Sequence, residues 1–149
     1  MSSKQPLLDL QQFFPYQFSI LSGQVSDYIA LIYKQQYGLT KFEWRVLATV
    51  GQHLAISSKQ IAAFTQLDKM QVSRAIARLI KIDVLDQQES SEDRRSHLLA
   101  LTLKGQQMYQ DIVPLVIEQE KRMLAGLTEQ ERQLLSSLTL KLSTQLAGQ

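Results

Sequence analysis

The sequence predicts a mainly α-helical chain with one small β-hairpin, and three observations predict it. Four Ser, Thr or Asp residues stand three positions before a Glu or Gln at the head of an apolar run, the form of a helix-starting capping box. Apolar residues at three- and four-residue spacing fill both ends of the chain, the period of an amphipathic helix. Short β-compatible runs come only as one pair, after Asp83.

In chain order, the first long helix spans roughly Tyr16 to Gln36. It follows Pro15, a residue suited to a first helical position, carries Phe18, Leu21, Val25, Tyr28, Ile29 and Ile32 on one side, and ends at Gly38. Thr40 with Glu43 opens FEWRVLATVG, Ser57 with Gln60 precedes IAAF, and Asp68 with Gln71 precedes VSRAIARLI. Three short helices thus begin within thirty residues. VLDQQ and HLLALT then flank the polar stretch ESSEDRRS, a hairpin with a long tip. Thr102 and Gly105 open a long helix to about Leu124, which Pro114 is expected to break or kink because proline lacks the N–H for its helical bond. Thr128 with Glu131 opens a last helix striped by Leu134, Leu135, Leu138, Leu142 and Leu146.

Composition excludes several classes of function. A chain of 149 residues, 44% apolar, can bury one compact core. The net charge of +2 says little about a polyanionic partner, so the position of the charges must. There is no cysteine, which removes disulfides, thiolate metal sites, cysteine nucleophiles and thiol-based sensing. His53 and His97 are the only histidines, and no HExxH, GxSxG or phosphate-cradling glycine loop occurs. The reading is therefore not an enzyme, with no cofactor and no metal. MSSKQPLLDLQQ has no apolar signal core, and YIALIY (Tyr28 to Tyr33) is too short to span a bilayer. A cytoplasmic chain with no membrane association is expected. The twenty-one glutamines are scattered and read as solvent-facing helix residues.

Two short helices joined by a tight turn and followed by a β-hairpin make a winged helix-turn-helix, whose second helix can enter a DNA major groove while the hairpin tip reaches sideways. At 100° per residue the helix after Asp68 gathers Val72, Ile76, Leu79 and Ile80 on one side and Met70, Gln71, Arg74, Ala77, Arg78 and Lys81 on the other. The second face has the chemistry of a reader, since Arg pairs with guanine, Gln with adenine, and Ser or Lys with phosphate; a solvated helix face carries similar residues. In the tip, Arg94 and Arg95 suit a narrow minor groove. Glu92 and Asp93 would repel DNA unless one of them orients an arginine.

With these residues the chain resembles the MarR (multiple antibiotic resistance regulator) family of winged-helix transcription factors, from about Phe14 to Leu146. The most specific part is the wing signature Asp93, Arg95, Leu101, Thr102 and Gly105. GLTKFEWRVLATVG and LDKMQVSRAIARLI also resemble the family, the latter as its recognition helix. The resemblance implies a homodimeric regulator of double-stranded DNA, acting as a repressor on a pseudo-palindromic operator. Residues 1–38 with 105–149 would form a helical dimerisation region, and residues 39–104 the winged helix-turn-helix. By match, the major-groove set is Lys69, Gln71, Ser73, Arg74 and Arg78. The wing set is Arg95 with its support Asp93, then Arg94 and His97. Gln66 and Asp83 stand where the family often has Gly, and Gln87 and Gln88 where it commonly has Arg. Family members often release DNA on binding a small aromatic or phenolic ligand, for which Trp44 and Arg45 are the candidate pocket residues. The alternative is a winged helix used for protein contact, leaving the arginines as solvated charges.

Overall fold

The computed structural model describes residues 4–89 and 97–149. After a single 3-10 turn at Leu10–Gln12 come α1 (Phe14–Tyr37), α2 (Lys41–Gly51), β1 (Ile56–Ser57), α3 (Ser58–Thr65) and α4 (Lys69–Lys81). Then follow β2 (Leu85–Glu89), β3 (His97–Leu101), α5 (Leu103–Met123) and α6 (Glu129–Ala147). The architecture is mainly α with a small antiparallel sheet in the order β1-β3-β2. It is a winged helix-turn-helix inserted between helices from the two ends of the chain.

Local chemistry sets the helix ends. All four capping boxes form, at Thr40/Glu43, Ser57/Gln60, Asp68/Gln71 and Thr128/Glu131. Each satisfies two of the amides that a helix start leaves unpaired. Pro15 lies in the first turn of α1, and Gly38 ends that helix in the left-handed region at φ 64°. Two non-glycine residues share that region, Gln66 at φ 59° and Asp83 at φ 63°. They close α3 and turn the chain from α4 into β2.

Three expectations are corrected. The hairpin is part of a three-stranded sheet, because Ile56 and Ser57 pair with Leu99 and Leu98 of β3. Two residues are too few to show a period, and Ser57 was legible only as a cap. Pro114 does not break α5, which runs from Leu103 to Met123 with the proline inside. The carbonyl it leaves unbonded, four residues back at Gln110, is on an exposed residue where water can serve it. Gln119 is not solvent-facing: it is 6% exposed and its Nε2 donates to the Tyr28 carbonyl of α1 at 3.1 Å, so a buried amide is satisfied across the α1–α5 contact.

One core joins the elements. Val46, Leu47 and Val50 of α2, Ile61 of α3, and Val72, Ala75, Ile76 and Leu79 of α4 pack with Val84, Leu85 and Leu99. Ala30 and Tyr33 of α1, Leu39, Ile56 of β1, Leu67 and Ile112 of α5 complete it. The start of α5 is pinned to the turn before β2: Thr102 Oγ1 donates to the Asp83 carbonyl at 2.6 Å and accepts from Gly105 N at 3.0 Å, and Lys104 Nζ donates to the Ile82 carbonyl at 2.8 Å. Elsewhere apolar surface is left open. α6 buries none of its residues, and its leucines are exposed together with Phe14, Phe18 and Leu21 of α1.

Candidate nucleic-acid interface

The second helix of the helix-turn-helix is α4, and its inward side is fixed by four buried residues, Val72, Ala75, Ile76 and Leu79. The opposite side, at 100° per residue, is centred on Met70, Arg74, Ala77 and Lys81, all exposed. Ile80, expected to face inward, is 37% exposed and opens onto a groove. It stands about a quarter-turn from the buried centre, where the wing, and not the core, meets the helix.

That groove lies between α3, α4 and the wing strands. Ser57, Ser58, Lys59 and Gln60 from the start of α3, Ser73, Ile76, Ala77 and Ile80 from α4, and Gln87, His97, Leu98 and Leu99 from the wing strands line it. A neighbouring cleft between α3 and α4 brings Lys59 beside Lys69 and Ser73. Thus Lys69, Ser73 and His97 stand around continuous concave surface with Lys59, a cation that the sequence reading did not select. Its signal was indirect: the Ser57 cap put Lys59 on a first helical turn, but only the pairing of β1 with β3 turns that end toward the wing. Asp93, Arg94 and Arg95 lie outside the described residues; they fall in the stretch joining Glu89 to His97, which are paired across the sheet.

The remaining α4 residues are committed differently. Arg74 is exposed and pairs with no carboxylate among the described residues. Gln71 spends its side-chain oxygen on the Asp68 N–H at 3.2 Å, closing the capping box while Asp68 Oδ1 accepts from Gln71 N at 2.8 Å. Bidentate pairing with adenine needs that oxygen as acceptor, so the cap and an adenine edge compete for the orientation of the Gln71 amide. Arg78 turns back into the protein: Nη1 donates to Glu43 Oε1 at 2.9 Å.

Trp44 is half-buried and stacks on Tyr33 of α1, with ring centroids 5.7 Å apart and planes at 17°. Arg45, next to it, is exposed. Burial pushes the Tyr33 phenol above its ordinary range; the Arg45 charge opposes that rise and Asp27 adds to it. Tyr33 was read only as the end of an apolar run, yet it is the residue that joins the two candidates.

Among the described residues no three His, Asp or Glu cluster as metal ligands would, and no helix is long and apolar enough to cross a membrane. Residues 37–96 match the MarR family. The HTH-type transcriptional regulator BilQ of Clostridium symbiosum (strain WAL-14163) is 26% identical over 93 residues, 62% of this chain and 65% of BilQ; the match spans just under two-thirds of that relative. The crystal structure of a MarR/EmrR family transcriptional regulator from Acinetobacter sp. ADP1 superposes with a TM-score of 0.86 at 26% identity, covering 95% of this chain and all of that one. Bordetella bronchiseptica BpsR, whose DNA binding is regulated by 6-hydroxynicotinic acid, shares the fold at a TM-score of 0.84 and 21% identity, over 93% of this chain and 98% of its own. Residues 37–96 thus match the MarR family model, and the chain as a whole is similar in fold to a MarR/EmrR regulator.

Proposed function

We propose that this chain is a transcriptional repressor that binds a pseudo-palindromic operator as a homodimer and is released by a small aromatic or phenolic ligand. It is not an enzyme. The observation that carries the reading is the placement of Lys59, Lys69, Ser73 and His97 around continuous concave surface, with Arg74 exposed on the outward side of α4. An α-helix with that face fits a major groove, and a hairpin bearing Arg94 and Arg95 fits the minor groove beside it, with Asp93 supporting Arg95. Lys69, Lys59 and His97 contact phosphate; Arg74 and Ser73 approach base edges. Residues 39–104 form this reader.

Residues 1–38 and 105–149 supply the dimer contact. The leucines of α6 and the aromatic residues of α1 are an apolar surface on an otherwise folded chain, and a second copy covers such a surface. The effector binds where Trp44 stacks on Tyr33 beside Arg45: an aromatic ring meets aromatic faces and a carboxylate or phenolate meets the guanidinium. That BpsR responds to an aromatic acid supports this choice of chemistry.

Fluorescence anisotropy with duplexes from the region upstream of the protein's own reading frame tests the proposal. Affinity should fall steeply with salt, by about 0.9 in log–log slope per neutralised phosphate, and half-sites should lie about one helical turn apart. Absence of binding at low salt to every such duplex refutes it. Thermal shifts with salicylate-like acids test the pocket, and an equal shift in Arg45→Ala clears Arg45 of the role.

A further inference from the structure

We infer that Glu43 is a positioning residue for the reading helix: its carboxylate draws Arg78 out of the groove and fixes α4 against α2, leaving Arg74 as that helix's reading guanidinium. This rests on the DNA-binding proposal and goes beyond it, because nothing in the family match assigns Glu43 a part.

Glu43 is 5% exposed, the one buried charged residue among the described residues. A carboxylate there is costly unless paired and hydrogen-bonded. Two groups meet it: the Thr40 N–H at 3.3 Å from Oε2, and Arg78 Nη1 at 2.9 Å from Oε1 and 3.4 Å from Oε2. Thr40 Oγ1 in turn accepts from Glu43 N at 3.1 Å, so the capping box holds the carboxylate in place independently of Arg78. The arginine comes from 35 residues away in the chain.

Helical geometry assigns the two arginines different work. Relative to the side opposite Val72, Ala75, Ile76 and Leu79, Arg74 lies about 30° from the outward direction and Arg78 about 70°. Arg78 is on the flank of Gln71 and Ala75, which with Arg74 line a cleft shared with Thr40, Phe42 and Glu43 of the α2 start; of the two arginines it is Arg78 that bonds the carboxylate. A long arginine on a flank can reach either way. If it reached the groove it would leave Glu43 buried with the Thr40 N–H but no cation, and close to phosphates, and both consequences oppose binding. α2 also packs against α1 and α5, so the pair links the reading helix to the helices of the proposed dimer.

The test separates a positioning pair from a reader and from a merely structural pair. Glu43→Gln keeps an oxygen for the Thr40 N–H, and so the cap, while removing the charge. Arg78→Met keeps the apolar stem and removes the guanidinium. Wild type and the single and double variants are measured against a duplex enriched from a random pool by the wild-type protein, across salt and across every single base-pair change. Glu43→Gln should weaken binding about three- to tenfold, although it removes an acid from a protein that binds a polyanion. Arg78→Met should weaken it similarly, with the salt slope unchanged and the loss spread over all positions, and the double variant should be no worse than either single one. Arg74→Ala, in contrast, should relax preference at one base pair. A slope lower by about one phosphate in Arg78→Met, a loss confined to one base pair there, or undiminished affinity in Glu43→Gln overturns the inference. If the wild type enriches no duplex, the DNA-binding proposal fails instead; the pair is then judged by melting temperatures, where additive losses in the two variants overturn it.

Discussion

Replacing Gly105 by Ala should lower the melting temperature by about 5–10 °C. Gly105 is buried in the first turn of α5, and a Cβ placed on it would overlap the Val84 carbonyl oxygen, with the Val84 carbonyl carbon at 3.1 Å and Leu101 Cβ at 3.4 Å. The obstacle is backbone, so no rotamer change relieves it. The α5 start has to back away from the turn before β2, and that turn is what Thr102 binds: its N–H reaches the Val84 carbonyl at 3.1 Å and its hydroxyl the Asp83 carbonyl at 2.6 Å. Overpacking costs ~1–3 kcal/mol and a weakened hydrogen bond up to about 1 kcal/mol more. The better helix propensity of Ala returns up to ~1 kcal/mol. The net is about 2–3 kcal/mol, and a chain of this size loses ~2–4 °C per kcal/mol. Circular dichroism melts at one fixed protein concentration measure it, since assembly makes the midpoint concentration-dependent. Gly51→Ala is the control: there the Cβ meets the Tyr109 ring, a side chain able to yield, and the loss should be smaller. A Gly105→Ala protein melting within about 2 °C of wild type would refute the joint as described.

Three further outcomes follow from the same geometry. Gln66→Gly should stabilise by up to about 1 kcal/mol in urea unfolding, because Gln66 pays for a left-handed φ of 59°; loss of its Nε2 bond to the Ala63 carbonyl at 2.8 Å subtracts from the gain, and destabilisation would show that bond to be the larger effect. Tyr33→Phe should extend stability to higher pH. The phenol is raised above its ordinary value of 10.0 by burial, so its contribution is fully present below that value and is lost as pH rises through the higher folded one; the same alkaline midpoint in both proteins would contradict the burial argument. Leu138→Glu with Leu142→Glu should yield monomers at micromolar concentration in sedimentation, with DNA affinity collapsing alongside, and a dimer that survives both changes would place the contact elsewhere than on the α6 leucines.

The fold was legible where chemistry is local. Four side chains announced helix starts three residues ahead of a partner, and Gly38 announced a stop, because capping and left-handed turns depend only on neighbours. Gln66 and Asp83, both left-handed, stood out only through the resemblance, as positions where the family often has Gly. What was not legible depended on distant partners. β1 exists only because β3 passes alongside Ile56 and Ser57. Gln119 is buried because the Tyr28 carbonyl lies across from it, 91 residues away. Lys59 gained its place at the groove from the sheet, and Tyr33 its place beside Trp44 from the packing of α1 on α2.

The candidate interface divides along the same line, and the division has a physical cause. Residue type told which side chains on α4 could bind DNA, but donors and acceptors are limited in number and direction, and local or distant partners compete for them. Gln71 has spent its acceptor on the Asp68 N–H, and Arg78 has spent part of its guanidinium on Glu43. Neither use disqualifies a residue outright, since a base edge or phosphate can displace an internal partner; the displaced group must then be satisfied by something else, and buried Glu43 would keep only the Thr40 N–H of its present partners. Arg74 and Ser73 incur no such cost. Specificity in this reader should therefore be concentrated in the residues that have no work inside the chain, while Glu43 and Asp68, two acids that would never be chosen as DNA contacts, decide which residues those are.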